Sequence, residues 1–188
     1  MRITEQAHQA VRAAVRGGEE VVDATAGNGN DTVFLAKLVG EEGRVLAFDI
    51  QDAAIDATRA KLDAAGVSEE RVFLVRESHV NVRSHISAPV AAVMFNLGYR
   101  PGGDHAIRTQ CDETVIALKR AWEVIRPGGI LTMVCYRGHP GGQEEGAAVL
   151  EASRELQMQG ATTETYGVEE TATGPSCGAP QGPLTRQM

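Results

Sequence analysis

At 188 residues, with 43% apolar and 23% charged residues, the chain has the size and balance of one globular domain that can bury a core without disulfides or metal. Its 18 basic and 25 acidic residues give a net charge of −7, which excludes a uniformly basic nucleic-acid clamp but leaves room for a local basic rim. No apolar run approaches the ~20 residues of a membrane-spanning helix, so no membrane partner is expected.

The first 20 residues lack an apolar core segment and do not read as a signal peptide. Cys111, Cys135 and Cys177 are odd in number and form no CxxC pair, which argues against a disulfide framework or structural zinc and for a reducing, cytoplasmic setting.

Short β-branched runs alternate with helical periodicity, the signature of a parallel α/β sheet. An N-terminal helix lies within residues 1–18. Strands are expected over 20–24, 44–50, 72–75, 90–95 and 130–136. Helices are expected over 31–39, capped near Asp31 or Thr32, and over 52–65, closed by Gly66. Over 107–126, the residues Ile107, Cys111, Val115, Leu118, Trp122 and Ile125 recur at steps of 4, 4, 3, 4 and 3, one apolar stripe on a helix. Pro127, Gly128 and Gly129 stop that helix and turn the chain into the next strand. A helix over 143–159 and a strand over 162–170 follow. The Gly- and Pro-rich residues 173–188 form either a short edge strand or a frayed tail. Nothing divides the chain into two domains.

The first strand runs into Asp23-Ala24-Thr25-Ala26-Gly27-Asn28-Gly29-Asn30-Asp31-Thr32. A strand, a glycine turn and a helix start bring backbone N–H groups up to a ligand. Thr32 stands where a dinucleotide fingerprint would need its third glycine, which counts against a nicotinamide-dependent dehydrogenase. Asp49 lies 20 residues after Gly29, the spacing of an acid that bonds ribose hydroxyls, and Gln51 follows it. Alternatively this is a plain turn, with Asp49 capping a helix. The third strand leads to Ser78 and His79, which would lie beside an adenine ring or serve as cap and surface residues.

The fourth strand ends in Asn96-Leu97-Gly98-Tyr99-Arg100-Pro101-Gly102-Gly103-Asp104-His105. A rigid glycine-rich loop at a strand end suits ligand binding. Asn96 offers a carbonyl that accepts a hydrogen bond from an amine. Asp104 and His105 form a possible acid–base pair, although Asp104 also stands where a helix would be capped. The fifth strand ends in Tyr136-Arg137-Gly138-His139, placing Tyr136 and His139 at the same crevice.

These blocks, together with Phe48-Asp49-Ile50-Gln51 and Gly141-Gly142, resemble the bacterial S-adenosylmethionine-dependent family long labelled "putative rRNA methylase". Its characterised members methylate the primary amine of 5-aminomethyl-2-thiouridine at the tRNA wobble position. The resemblance runs roughly from Glu19 to Glu145, and the Asn96–His105 block is its most specific part.

The resemblance implies a class I methyltransferase fold, Rossmann-like, with a seven-stranded, mostly parallel sheet and helices on both faces. It implies S-adenosyl-L-methionine held by Asp23, Thr25, Gly27, Asn28, Gly29, Asn30, Asp31, Thr32, Asp49, Gln51, Ser78, His79 and Asn96. Asn96, Tyr99, Asp104, His105 and His139 would carry the reaction. Gly98, Arg100, Pro101, Gly102, Gly103, Tyr136 and Arg137 would meet the substrate, a tRNA anticodon loop. Arg2 and Arg108 would join Arg100 and Arg137 in a basic rim, and a homodimer is plausible. Rival readings are a methyltransferase of rRNA or of a small molecule, a nicotinamide-dependent oxidoreductase, and a binding module without catalysis.

Overall fold

The computed structural model describes residues 1–98, 111–136 and 141–166 and the backbone of 182–186. Its elements in chain order are α1 (Ile3–Ala14), β1 (Glu20–Asp23), α2 (Asn30–Val39), β2 (Arg44–Phe48), α3 (Asp52–Ala64), β3 (Val72–Val75), β4 (Val90–Leu97), α4 (Cys111–Val124), β5 (Ile125–Cys135), α5 (Gly142–Met158), β6 (Ala161–Thr163) and β7 (Gly182–Arg186). Short 3-10 turns span Glu69–Arg71 and His79–His85.

The strands form one seven-stranded sheet in the order β3-β2-β1-β4-β5-β7-β6. The five strands β1 to β5 are parallel; β7 pairs antiparallel with β5, and β6 pairs antiparallel with β7. The order reverses between β1 and β4. Their carboxyl ends therefore splay the following loops apart and open a crevice, the usual ligand position in such sheets.

Both faces of the sheet are covered, and the strands alternate between two cores. Val22, Val93, Phe95, Leu131 and Met133 pack toward Leu118 and Trp122 of α4 and Val149 and Leu156 of α5. Val21, Val45, Ala92, Met94 and Val134 pack toward Val11 of α1, Leu35 of α2 and Leu62 of α3. This alternation places the polar residues of the crevice. Asp23 continues the row of Val21, Asn96 that of Ala92 and Met94, and Tyr136 that of Val134, so all three belong to the face covered by α1 and α2. Among the described residues no helix is long and apolar enough to cross a membrane.

Several expectations from sequence need correction. Helix α2 is not capped by Asp31 or Thr32. Its N-cap is Gly29 at φ 75°, and both side chains are committed elsewhere. Strand β4 runs two residues past 95, so Asn96 lies within the strand. Helix α4 ends at Val124, and β5 begins at once with Ile125 paired to Val90. The register then shifts, so that Ala92 pairs with Ile130. Pro127, Gly128 and Gly129 therefore form a bulge inside β5 rather than a turn before it, a position that tolerates proline's missing N–H. Strand β6 spans Ala161–Thr163 and so overlaps the expected 162–170 only at Thr162 and Thr163, and residues 167–170 lie outside the described residues. Strand β7 is no edge strand. It is inserted between β5 and β6, which leaves β6 at the edge.

The bulge has a steric requirement at Gly129. A Cβ there would sit 2.6 Å from Ile125 Cγ2, 2.8 Å from the Ala91 oxygen and 2.9 Å from the Arg126 oxygen. At Gly17 the nearest atom would be 3.8 Å away. Gly129→Ala is therefore expected to lower stability by about 1–3 kcal/mol, and Gly17→Ala by no more than about 0.5 kcal/mol. Urea unfolding of the two variants checks this.

Candidate functional site

The site is built outward from the end of β1. Asp23 is fully buried. Its Oδ1 accepts the Thr25 N–H at 3.1 Å and its Oδ2 accepts the Thr32 hydroxyl at 2.6 Å. Thr32 thus ties the first turn of α2 to the strand end. The loop between is drawn toward β2, where Asp49 Oδ2 accepts the Gly27 N–H at 3.0 Å and Oδ1 accepts the Gln51 N–H at 2.9 Å. Gly29 cannot be another residue without strain. Its φ is positive, and a Cβ would lie 2.9 Å from the Thr58 Cα. Asn28 lies in this loop, and Asn30 accepts from Lys61 on α3.

On the other side of the crevice, Ser78 caps its short turn by accepting the Val80 N–H at 3.3 Å. His79 meets Phe95 edge-on, 5.7 Å between centroids at 82°. Burial pulls the His79 pKa down to about 4, against the opposing effect of a hydrogen bond to the Ala24 backbone. The ring is therefore neutral, and its buried Nε2 has no hydrogen-bond partner among the described residues.

Asn96 is held at three points. Its N–H donates to Thr25 Oγ1 at 2.7 Å. Its Nδ2 donates to Asp31 Oδ2, and its Oδ1 receives a long bond of 3.5 Å from the Tyr136 hydroxyl. A carboxylate only accepts, so Asp31 fixes the amide with nitrogen inward and oxygen toward Tyr136. The second Asp31 oxygen is 2.6 Å from His8 Nε2 on α1.

Three carboxylates, Asp23, Asp31 and Asp49, thus ring one small crevice. Burial first, and then the nearby charges of Asp31 and Asp49, push the Asp23 pKa up to about 7. Burial and the Asp31 charge also raise that of Tyr136, keeping its hydroxyl a donor. Such a crevice favours a cationic ligand.

The structure brings together Asp23, Thr25, Gly27, Asn28, Gly29, Asp31, Thr32, Asp49, Gln51, Asn96 and Tyr136, with Ser78 and His79 at the neighbouring strand end. Asn30 faces α3 through Lys61. Gly98 follows β4 with φ 139°. Tyr99, Arg100, Pro101, Gly102, Gly103, Asp104, His105, Arg137 and His139 lie outside the described residues, as does Arg108. Sequence reasoning missed His8, 23 positions before its partner, because no local pattern reports a contact between two helices. It also gave no role to Ile50, whose side chain is 52% exposed beside Asp49 and could have been marked as apolar surface next to a ribose-type acid.

The chain is also similar to known proteins. A family model described as "Putative rRNA methylase" matches residues 45–177. The chloroplastic tRNA (mnm(5)s(2)U34)-methyltransferase of Arabidopsis thaliana is 43% identical over 153 residues, covering 77% of this chain and 56% of that protein. The chain thus spans little more than half the length of that curated relative. The crystal structure of a putative rRNA methylase from Clostridium thermocellum superposes with a TM-score of 0.90 at 41% identity, covering 100% of this chain and 98% of the other. A putative methyltransferase from Streptococcus mutans, solved in complex with SAH, superposes at 0.82 with 32% identity, covering 98% and 97%.

Asp23 supplies a test of the crevice electrostatics. Its folded pKa of about 7 lies above the ordinary carboxylate value of about 3.9, so the folded chain retains a proton that the unfolded chain has lost. The Asp23 contribution to stability therefore falls as pH rises from about 4 to about 7. Asp23→Asn removes that slope. Urea midpoints across this window are expected to shift progressively in favour of Asp23→Asn as pH rises, whereas an Asp23 of ordinary pKa would leave the difference constant.

Proposed function

The chain belongs to the family described as "putative rRNA methylase", and on that premise we propose that it is an S-adenosylmethionine-dependent N-methyltransferase acting on the 5-aminomethyl group of 5-aminomethyl-2-thiouridine at the tRNA wobble position. The fold is that of the class I S-adenosylmethionine-dependent methyltransferases. The activity named for the Arabidopsis relative supports the substrate. The observation that carries the reading is the Asn96 amide, locked by Asp31 with its oxygen outward at the mouth of an acidic crevice.

The crevice fits the cofactor. Gly27 and Gly29 let backbone approach a ligand closely. Asp49 retains lone pairs for ribose hydroxyls beyond the two N–H groups it accepts. The neutral, unpartnered His79 Nε2 can accept from an exocyclic amino group. Exposed Ile50 offers apolar surface for a base. The carboxylates of Asp23, Asp31 and Asp49 favour the cofactor's positive charge. When bound, S-adenosylmethionine supplies a methyl group on a sulfonium, already activated toward a nucleophile.

The protein's task is then mostly positioning, which can recover on the order of 7–11 kcal/mol of barrier. Asn96 Oδ1 accepts a hydrogen bond from the substrate amine, which aims the nitrogen lone pair. An alkylamine with a reference pKa of about 10.4 must shed a proton before it can attack. We assign that proton to the set Asp104, His105 and His139, directly or through water. Tyr136, half-exposed at the crevice, offers a ring for stacking on a base splayed out of the anticodon loop.

The direct test incubates the protein with labelled S-adenosylmethionine and tRNA carrying 5-aminomethyl-2-thiouridine, followed by nucleoside mass spectrometry. One added methyl on that nucleoside is the expected result. Cofactor binding without transfer would discard the tRNA assignment in favour of rRNA or small amines. Asn96→Ala is expected to lower turnover by about 10²-fold while cofactor affinity stays within about threefold. An equal loss of both would mark Asn96 as structural.

A further inference from the structure

We propose that His8, on the N-terminal helix α1, is a positioning residue of the methyl-transfer site. It holds Asp31, and through Asp31 it holds the Asn96 amide in its single productive orientation. The inference rests on the role given to Asn96 above and extends the site to a helix that precedes every motif of the chain.

The contacts form one continuous series. His8 Nε2 lies 2.6 Å from Asp31 Oδ1, and the other oxygen of the same carboxylate accepts Asn96 Nδ2. Since a carboxylate cannot donate, His8 Nε2 must carry the hydrogen of this contact. The ring is braced by stacking. It lies flat on Phe34 of α2, 3.8 Å between centroids and 9° from parallel, and Phe34 also carries the Arg12 guanidinium 4.7 Å from its centroid.

Asp31 is nearly buried, with 8% of its side chain exposed. It sits close enough to Asp23 to raise that residue's pKa. A buried acid beside another acid is costly unless each oxygen has a donor. His8 supplies one donor and Asn96 the other. Without His8, the carboxylate must turn to find a second donor, and the amide that depends on it loses its fixed direction. Packing alone does not account for a histidine here. Helix α1 is already anchored in the core by Ala7 and Val11, with Val15 buried just past its end, and an apolar side chain would cover Phe34 as well.

Two substitutions separate the donor from the packing. His8→Gln keeps an N–H of similar reach. His8→Phe keeps the stacking and removes the donor. Single-turnover methyl transfer at saturating cofactor is expected to fall about ten- to a hundredfold in His8→Phe, with cofactor affinity and tRNA KM within about twofold. His8→Gln should recover most of the rate. Thermal melting monitors folding in both.

A second readout does not depend on the substrate. It is the side-chain amide NMR resonance of Asn96 in the SAH-bound protein, assigned by its loss in Asn96→Ala. It should be wild-type-like in His8→Gln and shifted or exchange-broadened in His8→Phe. An unchanged rate and an unchanged amide resonance in His8→Phe would overturn the proposal. So would equal losses in both variants that track a fall in melting temperature. If the wild-type protein transfers no methyl to this tRNA, the substrate assignment fails on its own, and the amide resonance alone decides the role of His8.

Discussion

The hydrogen bond from the Asn96 amide to Asp31 is the contact on which the rest of the site depends. An amide can face a crevice in two ways, with nearly the same shape and opposite polarity. Only a partner that exclusively accepts removes the ambiguity, and a carboxylate is such a partner. Asp31 stands in the first turn of α2, where the helix N-terminus favours an acid. Strand β4 brings Asn96 to it because Asn96 shares the inward row of Ala92 and Met94, the face on which α1 and α2 pack. A shift of one residue in β4 would turn the amide into the opposite core.

The electrostatic cost of this arrangement is visible in Asp23. It is sealed from water beside Asp31 and Asp49, and its affinity for a proton rises accordingly. The loop spreads the burden by giving each acid several donors: Thr25 and Thr32 for Asp23, Gly27 and Gln51 for Asp49, and His8 and Asn96 for Asp31. Glycine at 29 is fixed by the same compression, since the turn passes within van der Waals contact of Thr58. A crevice that gathers acids in this way is complementary to a cation.

Much of this could be read from the residues before any coordinates. The strand–glycine–helix order, Asp23, Asp49 and Asn96 were legible because each belongs to a local pattern: a short β-branched run, a turn, a fixed spacing. The errors have a common source in contacts that no local pattern encodes. Helix α2 looked as if Asp31 or Thr32 would cap it, since both are good capping residues. Tertiary partners claim both side chains instead, and Gly29 takes the cap. Pro127-Gly128-Gly129 reads as a full stop, yet Ile125 already pairs with Val90, and the three residues become a bulge. The Gly- and Pro-rich residues 173–188 read as a short edge strand or a frayed tail, yet pairing places β7 inside the sheet. His8 was invisible for the same reason, since its meaning lies wholly in a residue of another helix.

The central claim is that Asp31 orients Asn96 for transfer, and Asp31→Asn tests it most directly. An amide at position 31 keeps the size of the side chain but has one acceptor oxygen instead of two, so it cannot satisfy His8 and Asn96 as the carboxylate does. The single-turnover rate of methyl transfer to tRNA bearing 5-aminomethyl-2-thiouridine, at saturating S-adenosylmethionine, should fall by at least about tenfold, beyond any weakening of cofactor binding that loss of the Asp31 charge brings, while melting temperature changes little. A rate equal to that of the wild-type protein would contradict the account, as would a loss fully explained by weaker cofactor binding.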